Sequence, residues 1–166
     1  VKALKVRILE GENGRVLGLF NLYLPPNDTW TASLTEGATG PVIRTADPSC
    51  TAPYFFDDGG ELALNLNSVI NLPDQGRETV DRIREGYIEV IEMGTLAPLS
   101  PSNMGMGALA EFFFEFDPRP FDCVALNEAW QAGSADPVWV DDPQVDMLSP
   151  QGGLSGQAVH INVSGA

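Results

Sequence analysis

The strongest constraint on the fold is an alternation of apolar and polar residues at the start of the chain. Leu4, Val6 and Ile8 fall on one face of an extended strand, and Lys5 and Arg7 fall on the other. An alternation with a period of two residues predicts a β-strand that buries one face. We therefore expect a sheet and not a helix at this end of the protein.

An Asn-Gly pair at positions 13 and 14 follows this strand. Because both residues accept the positive φ angles of a tight turn, the pair predicts a β-hairpin. In the returning stretch, 16–24, the alternation slips near Gly18, which indicates a β-bulge. More β-rich stretches at 29–35, 41–45, 61–66, 87–94, 137–140 and 158–163 predict further strands.

Two of these predicted strands carry a more specific expectation. In 29–35 the alternation places Trp30, Ala32 and Leu34 on the inward face. The stretch 87–94 is apolar on both faces and is predicted to be a central strand. The best helix candidate is 121–132, where Cys123 begins an apolar stripe. One helical turn is expected within 77–86.

These patterns together predict a mostly β fold, an antiparallel β-sandwich-like domain with one short α-helix at about 121–132. The 166 residues suit one domain, and the 43% hydrophobic composition is enough to form a core. A net charge of −14 disfavours nucleic acid and anionic lipid as partners. No apolar run approaches the roughly 18 residues that span a membrane, so no membrane insertion is expected.

The chain has two cysteines, Cys50 and Cys123, without a Cys-x-x-Cys motif. They either form a disulfide or remain two buried thiols, and a disulfide would indicate an oxidising compartment. Nothing in their spacing resembles a zinc site.

No catalytic motif is present in the sequence. The single histidine, His160, lies on the polar face of a predicted strand, and no serine stands in a Gly-x-Ser-x-Gly elbow. The phosphate-binding Gly-rich motifs are also missing. The 23 acidic residues leave a carboxylate-based hydrolase as one alternative, but the sequence does not single out a pair.

Two acidic clusters are candidate calcium ligands, since calcium binds six to eight oxygens that closely spaced aspartates on a loop can supply. The first cluster is Asp57 and Asp58, and the second is Asp141, Asp142 and Asp146. Neither has the spacing of an EF-hand, and solvated turns are the competing interpretation. Calcium is the one cofactor that the sequence suggests, and a calcium-dependent adhesion or glycan-binding module is the alternative function.

The sequence begins and ends in predicted strands, which pair either within the domain or with a neighbouring chain. Three consecutive phenylalanines near 113 predict either a strand buried on both faces or a strand with one face in a subunit interface. The candidate interface residues are therefore Val1, Ala3, Lys5, Phe112, Phe113, Phe114, Val159, Ile161 and Val163. They predict a homo-oligomer or polymer. Asn27 and Asn162 begin formal N-glycosylation sequons.

Several stretches in order, FNLYL-P-ND-WT, REGYIEVIEMG, C-x-x-L-x-x-AW and GGL-G-x-x-x-INV, resemble a group of β-rich, secreted or surface-associated bacterial proteins without an established activity. The resemblance implies that flanking segments, including an exported leader, lie outside this sequence. It also implies that Cys50 and Cys123 form a pair. The strand-like ends of the sequence, the lack of an active-site motif, the expected disulfide and the acidic charge, together with this resemblance, lead us to expect a non-enzymatic extracellular structural protein. We expect it to be a self-assembling subunit of a bacterial surface filament or layer.

Overall fold

The computed structural model describes residues 1–55, 59–96, 123–134, 137–144 and 147–159, without the side chains of Ala125, Val138 and Asp141. The strands are β1 (Lys2–Glu10), β2 (Val16–Leu24), β3 (Ser33–Glu36), β4 (Pro41–Arg44), β5 (Cys50–Ala52), β6 (Glu61–Ala63), β7 (Gly86–Leu96) and β8 (Met147–Leu148). The α-helices are α1 (Cys123–Glu128) and α2 (Val138–Asp141), and two 3-10 turns cover Leu66–Ser68 and Val80–Ile83.

The strands form two antiparallel sheets. A five-stranded sheet has the order β5-β2-β1-β7-β8, and a three-stranded sheet has the order β3-β4-β6. The predicted mostly β, antiparallel, sandwich-like fold with a short helix within 121–132 is confirmed. No helix among the described residues has both the length and the apolar character required to cross a membrane.

The β1–β2 hairpin forms as the Asn-Gly pair predicts. Gly14 has a φ of 68°, a left-handed angle that glycine adopts without strain. The ladder pairs Ile8 with Gly18 and then Leu9 with Val16, so one extra residue of β2 bulges beside Gly18. The predicted position of the bulge is therefore confirmed.

The first core lies between the two sheets. The alternating face of β1 contributes Leu4, Val6 and Ile8, and β2 contributes Phe20, whose ring meets Phe55 edge-on at 5.3 Å between centroids. Ile43 of β4 closes this core from the three-stranded sheet. The alternation of the sequence thus predicts which face of β1 is buried.

The second core lies on the other face of the five-stranded sheet, where α1 and α2 cover one end. Tyr23 is fully buried there, its ring stacked near Trp139 with centroids 6.1 Å apart. The indole N–H of Trp130 donates to the Tyr23 hydroxyl. A disulfide joins Cys50 of β5 to Cys123 of α1, with a Cα–Cα distance of 5.1 Å. The disulfide between the two cysteines is therefore confirmed, and it attaches α1 to the edge of the sheet.

Two of the stretches that were predicted to be strands have a different conformation in the structure. The stretch 29–35 forms a strand only from Ser33, and Leu34 is exposed and not inward, because no described element covers that face of β3. The stretch 137–140 belongs to the helical turn α2 and not to a strand. Its position is fixed by packing, since Trp139 is buried and its N–H donates to the Ala129 carbonyl. This tertiary packing overrides the strand propensity of the local sequence.

Candidate functional site

Strand β1 is not an edge strand. It pairs with β2 on one side and with β7 on the other over nearly its whole length. Of the interface candidates on this strand, Ala3 is fully buried, Lys5 is half-buried within both ladders, and the Val1 carbonyl accepts the Leu96 N–H. The backbone of β1 is therefore not available to a second chain, because β7 returns from far along the sequence to occupy that side.

Among the residues that the structure describes, an unpaired stretch of sheet edge lies on β7. On its outer side, β7 pairs with β8 only at Thr95 and Leu96. Over residues 86–91, no strand in the described part of the chain pairs with this side. We call the outer side of β7 over 86–91 the open edge. An unpaired edge of this kind is a template for strand addition.

The direction of the backbone groups along the open edge follows from the ladder with β1. The Gly11 N–H donates to the Glu85 carbonyl at 2.9 Å, so Glu85 faces β1. Because alternate residues of a strand bond to opposite sides, Tyr87 and Glu89 also bond to β1. The residues that direct N–H and C=O groups outward are Gly86, Ile88 and Val90.

The side chains along the open edge are apolar on both faces and remain accessible to solvent. Their exposed fractions are 49% for Tyr87, 56% for Ile88, 54% for Val90 and 44% for Ile91. The residues opposite Ile88 and Val90 on β1 are Ile8 and Val6, and each is only 4% exposed. The difference arises because β1 has a neighbouring strand on each side, whereas this part of β7 has one among the described residues.

Charged pairs and a glycine hold β7 against β1. Arg7 binds Glu89 at 2.8 Å, and Lys2 binds Glu92 at 2.6 Å. A Cβ at Gly86 would lie 2.1 Å from the Leu9 carbonyl oxygen, so only glycine fits where β7 begins. The open edge is thus presented on a strand with a fixed position.

A buried ion network lies beside the β1–β2 turn and fixes the 3-10 turn that precedes β7. Arg82 and Glu10 are buried, and the Arg82 guanidinium donates to Glu10 at 3.2 Å and to Asp74 at 2.6 Å. It also donates to the Val69 carbonyl at 2.8 Å. The Glu10 carboxylate accepts three backbone N–H groups of the turn, those of Glu12, Asn13 and Arg15.

The hydrogen bonds of this network keep both carboxylates charged. Burial alone would raise the pKa of Glu10, but the N–H of Arg15 and the Arg82 guanidinium, with the other turn N–H groups, together hold it below its ordinary value. The Arg82 guanidinium holds the pKa of Asp74 far below its ordinary value, against the opposing effect of burial. A general acid needs a raised pKa, so this carboxylate pair suits a structural role and not acid–base catalysis.

The calcium candidates are not brought together by the described residues. Asp57, Asp58 and Asp146 lie outside these residues, as does the side chain of Asp141. The Asp142 carboxylate is exposed and accepts the Gln144 N–H at 3.0 Å. Within the ranges that the structure describes, no group of three or more His, Cys, Asp or Glu side chains could hold a metal ion. Calcium binding by the clusters stays a prediction.

The remaining interface candidates lie mostly beyond the described residues, which exclude Phe112, Phe113, Phe114, Ile161 and Val163. Val159 is described, and it is 71% exposed and outside any strand. The sequon residue Asn27 is exposed in a turn, with a φ of 63°, while Asn162 is outside the described residues.

The open edge differs from the sequence-based expectation for β7. The apolar residues on both faces of 87–94 suggested a central strand, and β7 does lie between β1 and β8 in the sheet. Among the described residues, however, β8 pairs only with Thr95 and Leu96, so 86–91 has a paired strand on one side only. Two features of the sequence did point to an edge: Glu89 and Glu92 interrupt the apolar run, and charges on a strand are one way in which edges are protected. The number of strands that pair with a given strand depends on segments distant in the sequence. The local pattern of residues therefore does not predict that number.

Comparisons with protein-family models, with curated proteins and with solved structures gave no match for this chain.

Proposed function

We propose that the protein is a non-enzymatic extracellular structural subunit whose copies associate by strand pairing along the open edge. The observation that carries this proposal is the combination of outward backbone groups with four exposed apolar side chains on 86–91. Strand addition satisfies the backbone groups and removes the apolar side chains from water in one step. The resemblance of the sequence implies a secreted or surface-associated bacterial protein, and repeated strand pairing between copies would build a filament or layer.

The disulfide supports the extracellular part of the proposal. Cys50 and Cys123 are both buried and bonded to each other. Structural disulfides persist in oxidising environments such as the cell exterior and the periplasm. An exported location is therefore consistent with the covalent structure.

The length of the open edge sets the expected strength of association. Six residues of strand pairing bury less surface than a standard protein–protein interface of about 1,600 Å². We therefore expect a dissociation constant in the micromolar range or weaker. A filament or layer would need a second contact in addition to this one, because a single symmetric contact closes at a dimer.

Sedimentation velocity over a range of concentrations tests the proposal. Ile88→Glu places a charge on the open edge, and Val124→Glu is the matched control because Val124 is an exposed residue of α1 with a similar exposed fraction, 54%. Both variants add one negative charge. We expect Ile88→Glu to weaken self-association about tenfold or more, since it removes the burial of one aliphatic side chain. The Val124→Glu protein should associate like the parent.

Two outcomes would contradict the proposal. One is a parent protein that stays monomeric at high concentration. The other is an Ile88→Glu protein that associates as strongly as Val124→Glu while both keep the melting temperature of the parent.

A further inference from the structure

We infer that Asn13 is a site of covalent modification, at which the β1–β2 turn deamidates without an enzyme to isoaspartate and aspartate. The inference is independent of the proposed self-association. Asn13 is the one asparagine of the sequence that precedes a glycine. It is exposed in the turn that joins β1 to β2, so water reaches its carboxamide.

The reaction needs only water as a co-reactant. The backbone nitrogen of Gly14 attacks the side-chain carbonyl carbon of Asn13 and forms a carbon–nitrogen bond. The bond from that carbon to Nδ2 breaks, and the NH₂ group leaves as ammonia with the proton that Gly14 gives up. Water then opens the succinimide ring. Opening at the side-chain carbonyl gives aspartate, opening at the main-chain carbonyl gives isoaspartate, and no group is oxidised or reduced.

The attacking group, the Gly14 nitrogen, is left free by the hydrogen bonds of the turn. The Glu10 carboxylate accepts three neighbouring N–H groups, those of Glu12, Asn13 and Arg15. No group among the described residues accepts the Gly14 N–H. Because glycine has no Cβ, the preceding side chain can also approach this nitrogen closely. The turn thus holds every N–H group around Glu10 except the one that the reaction uses.

The carboxamide of Asn13 is held by a weak contact. Its Nδ2 donates to the Asp74 carbonyl at 3.3 Å, which is long for a hydrogen bond, and the site is exposed. This bond must break before the side chain can turn towards Gly14. An exposed bond is readily exchanged for a bond to water, so it slows the reaction only slightly.

Asn27 provides an internal reference in the same protein. It is also exposed and also lies in a turn. The residue that follows it is Asp28, whose N–H donates to the Pro25 carbonyl at 3.2 Å and whose side chain obstructs the attack. Asn27 therefore has the exposure of Asn13 without a free nitrogen beside it.

The isoaspartate product disturbs the buried ion network. Its backbone runs through the former side chain, which adds one atom to the chain between position 13 and Gly14. The N–H groups of residues 13 and 15 move apart, although both donate to the buried Glu10 carboxylate. A buried carboxylate that loses a donor destabilises the fold. The aspartate product keeps the normal backbone and loses only the contact with the Asp74 carbonyl.

Ageing of the folded protein at mildly alkaline pH, followed by peptide mapping, tests the site. We expect Asn13 to convert at least about tenfold faster than Asn27, because glycine presents no side chain to the attack. Protein isoaspartyl methyltransferase labels the isoaspartate. The peptide map separates this label from isoaspartate formed at the Asp58-Gly59 pair.

Asn13→Gln is the control, because its longer side chain closes a less favourable ring and should leave position 13 unlabelled. Gly14→Ala is less suitable, since a Cβ at Gly14 would lie 2.8 Å from the Tyr87 hydroxyl oxygen.

Melting curves test the consequence for the ion network. Each conversion adds one negative charge, so ion exchange separates the converted protein from the parent. We expect the fraction rich in isoaspartate to melt roughly 3–6 °C below the parent. Asn13→Asp carries the same charge on a normal backbone and should melt within about 2 °C of the parent.

Two results would overturn the assignment of the site: equal rates at Asn13 and Asn27 in the folded protein, or conversion of Asn13 only in urea. An isoaspartate fraction that melts together with Asn13→Asp would overturn the effect on the Glu10 network and leave the site in place. Self-association of the unaged protein is measured separately, so none of these results decides the proposed function.

Discussion

At the scale of residues, the positive charge of Arg82 is placed in the interior where two carboxylates and a carbonyl surround it. Removing one member of such a buried network leaves the other charges without partners, which is strongly destabilising. A Cβ at Gly76 would lie 2.4 Å from the guanidinium carbon, so the loop closes tightly over this group. The network therefore links the β1–β2 turn to the segment that leads into β7.

The lowered pKa values of Glu10 and Asp74 predict a loss of stability in acid. A carboxyl group whose pKa is lower in the folded state stabilises fully above its unfolded value and loses that contribution as the pH falls through the folded value. The unfolded values are near 4.5 for Glu10 and 3.8 for Asp74, so stability should be flat above about pH 5 and fall below pH 4. Urea unfolding between pH 2 and pH 7 measures this profile.

Glu10→Gln should flatten part of that acid dependence and lower the melting temperature at pH 7 by roughly 5–10 °C, because three turn N–H groups and Arg82 lose a charged acceptor. Glu36→Gln, at an exposed position on β3, is the control and should change neither quantity. An acid profile that is the same in Glu10→Gln and the parent would refute this assignment.

At the scale of elements, we expect the disulfide to contribute more to the free energy of unfolding than any other single contact of α1. It closes a separation of 73 residues, which in the chain-entropy model stabilises the folded state by about 4 kcal/mol. The double substitution Cys50→Ala with Cys123→Ala should reduce the free energy of unfolding by about that amount in urea. A loss below about 1 kcal/mol would show that the noncovalent contacts of α1 are sufficient.

Tryptophan fluorescence independently reports whether α1 stays packed on the sheet when the disulfide is removed. Trp130 and Trp139 lie 5.4 Å apart between ring centroids and pack around Tyr23 beside the disulfide. Their emission should shift to longer wavelength in the double variant only if α1 leaves the sheet. This measurement separates a displaced helix from a uniformly less stable fold.

The elements also show what the sequence can and cannot predict. The β1–β2 hairpin and its bulge were predictable because the Asn-Gly turn and the slip at Gly18 are local signals. The helical turn α2 was not, because its conformation depends on the burial of Trp139 against distant residues. For the same reason the sequence named β1 as the candidate pairing strand, whereas β1 is central and β7 carries the open edge.

At the scale of the whole molecule, the net charge of −14 opposes the association of two copies. Salt screens this repulsion, since the Debye length falls from about 30 Å at 0.01 M to about 8 Å at 0.15 M. We therefore expect the dissociation constant to decrease roughly three- to tenfold over this range of NaCl, as measured by sedimentation equilibrium. Association that weakens with salt would instead indicate contacts between opposite charges.

Calcium chloride at matched ionic strength is the control for this prediction and also tests the alternative function. If screening alone acts, the calcium and sodium salts should give closely similar dissociation constants and melting temperatures. A melting temperature that rises with calcium and returns with chelator would support a calcium site in the acidic clusters.

The covalent bridge between Cys50 and Cys123 has a consequence for how the molecule withstands proteolysis. A protease that cuts the backbone once between these positions nicks the polypeptide but does not divide it. The two fragments stay tethered through sulfur. Where the cut falls between β5 and β7, they also share the β1–β7 ladder, to which each fragment then contributes one strand. For such a cut, release of the two fragments requires both a reductant and a denaturant, so a single nick leaves the fold held together.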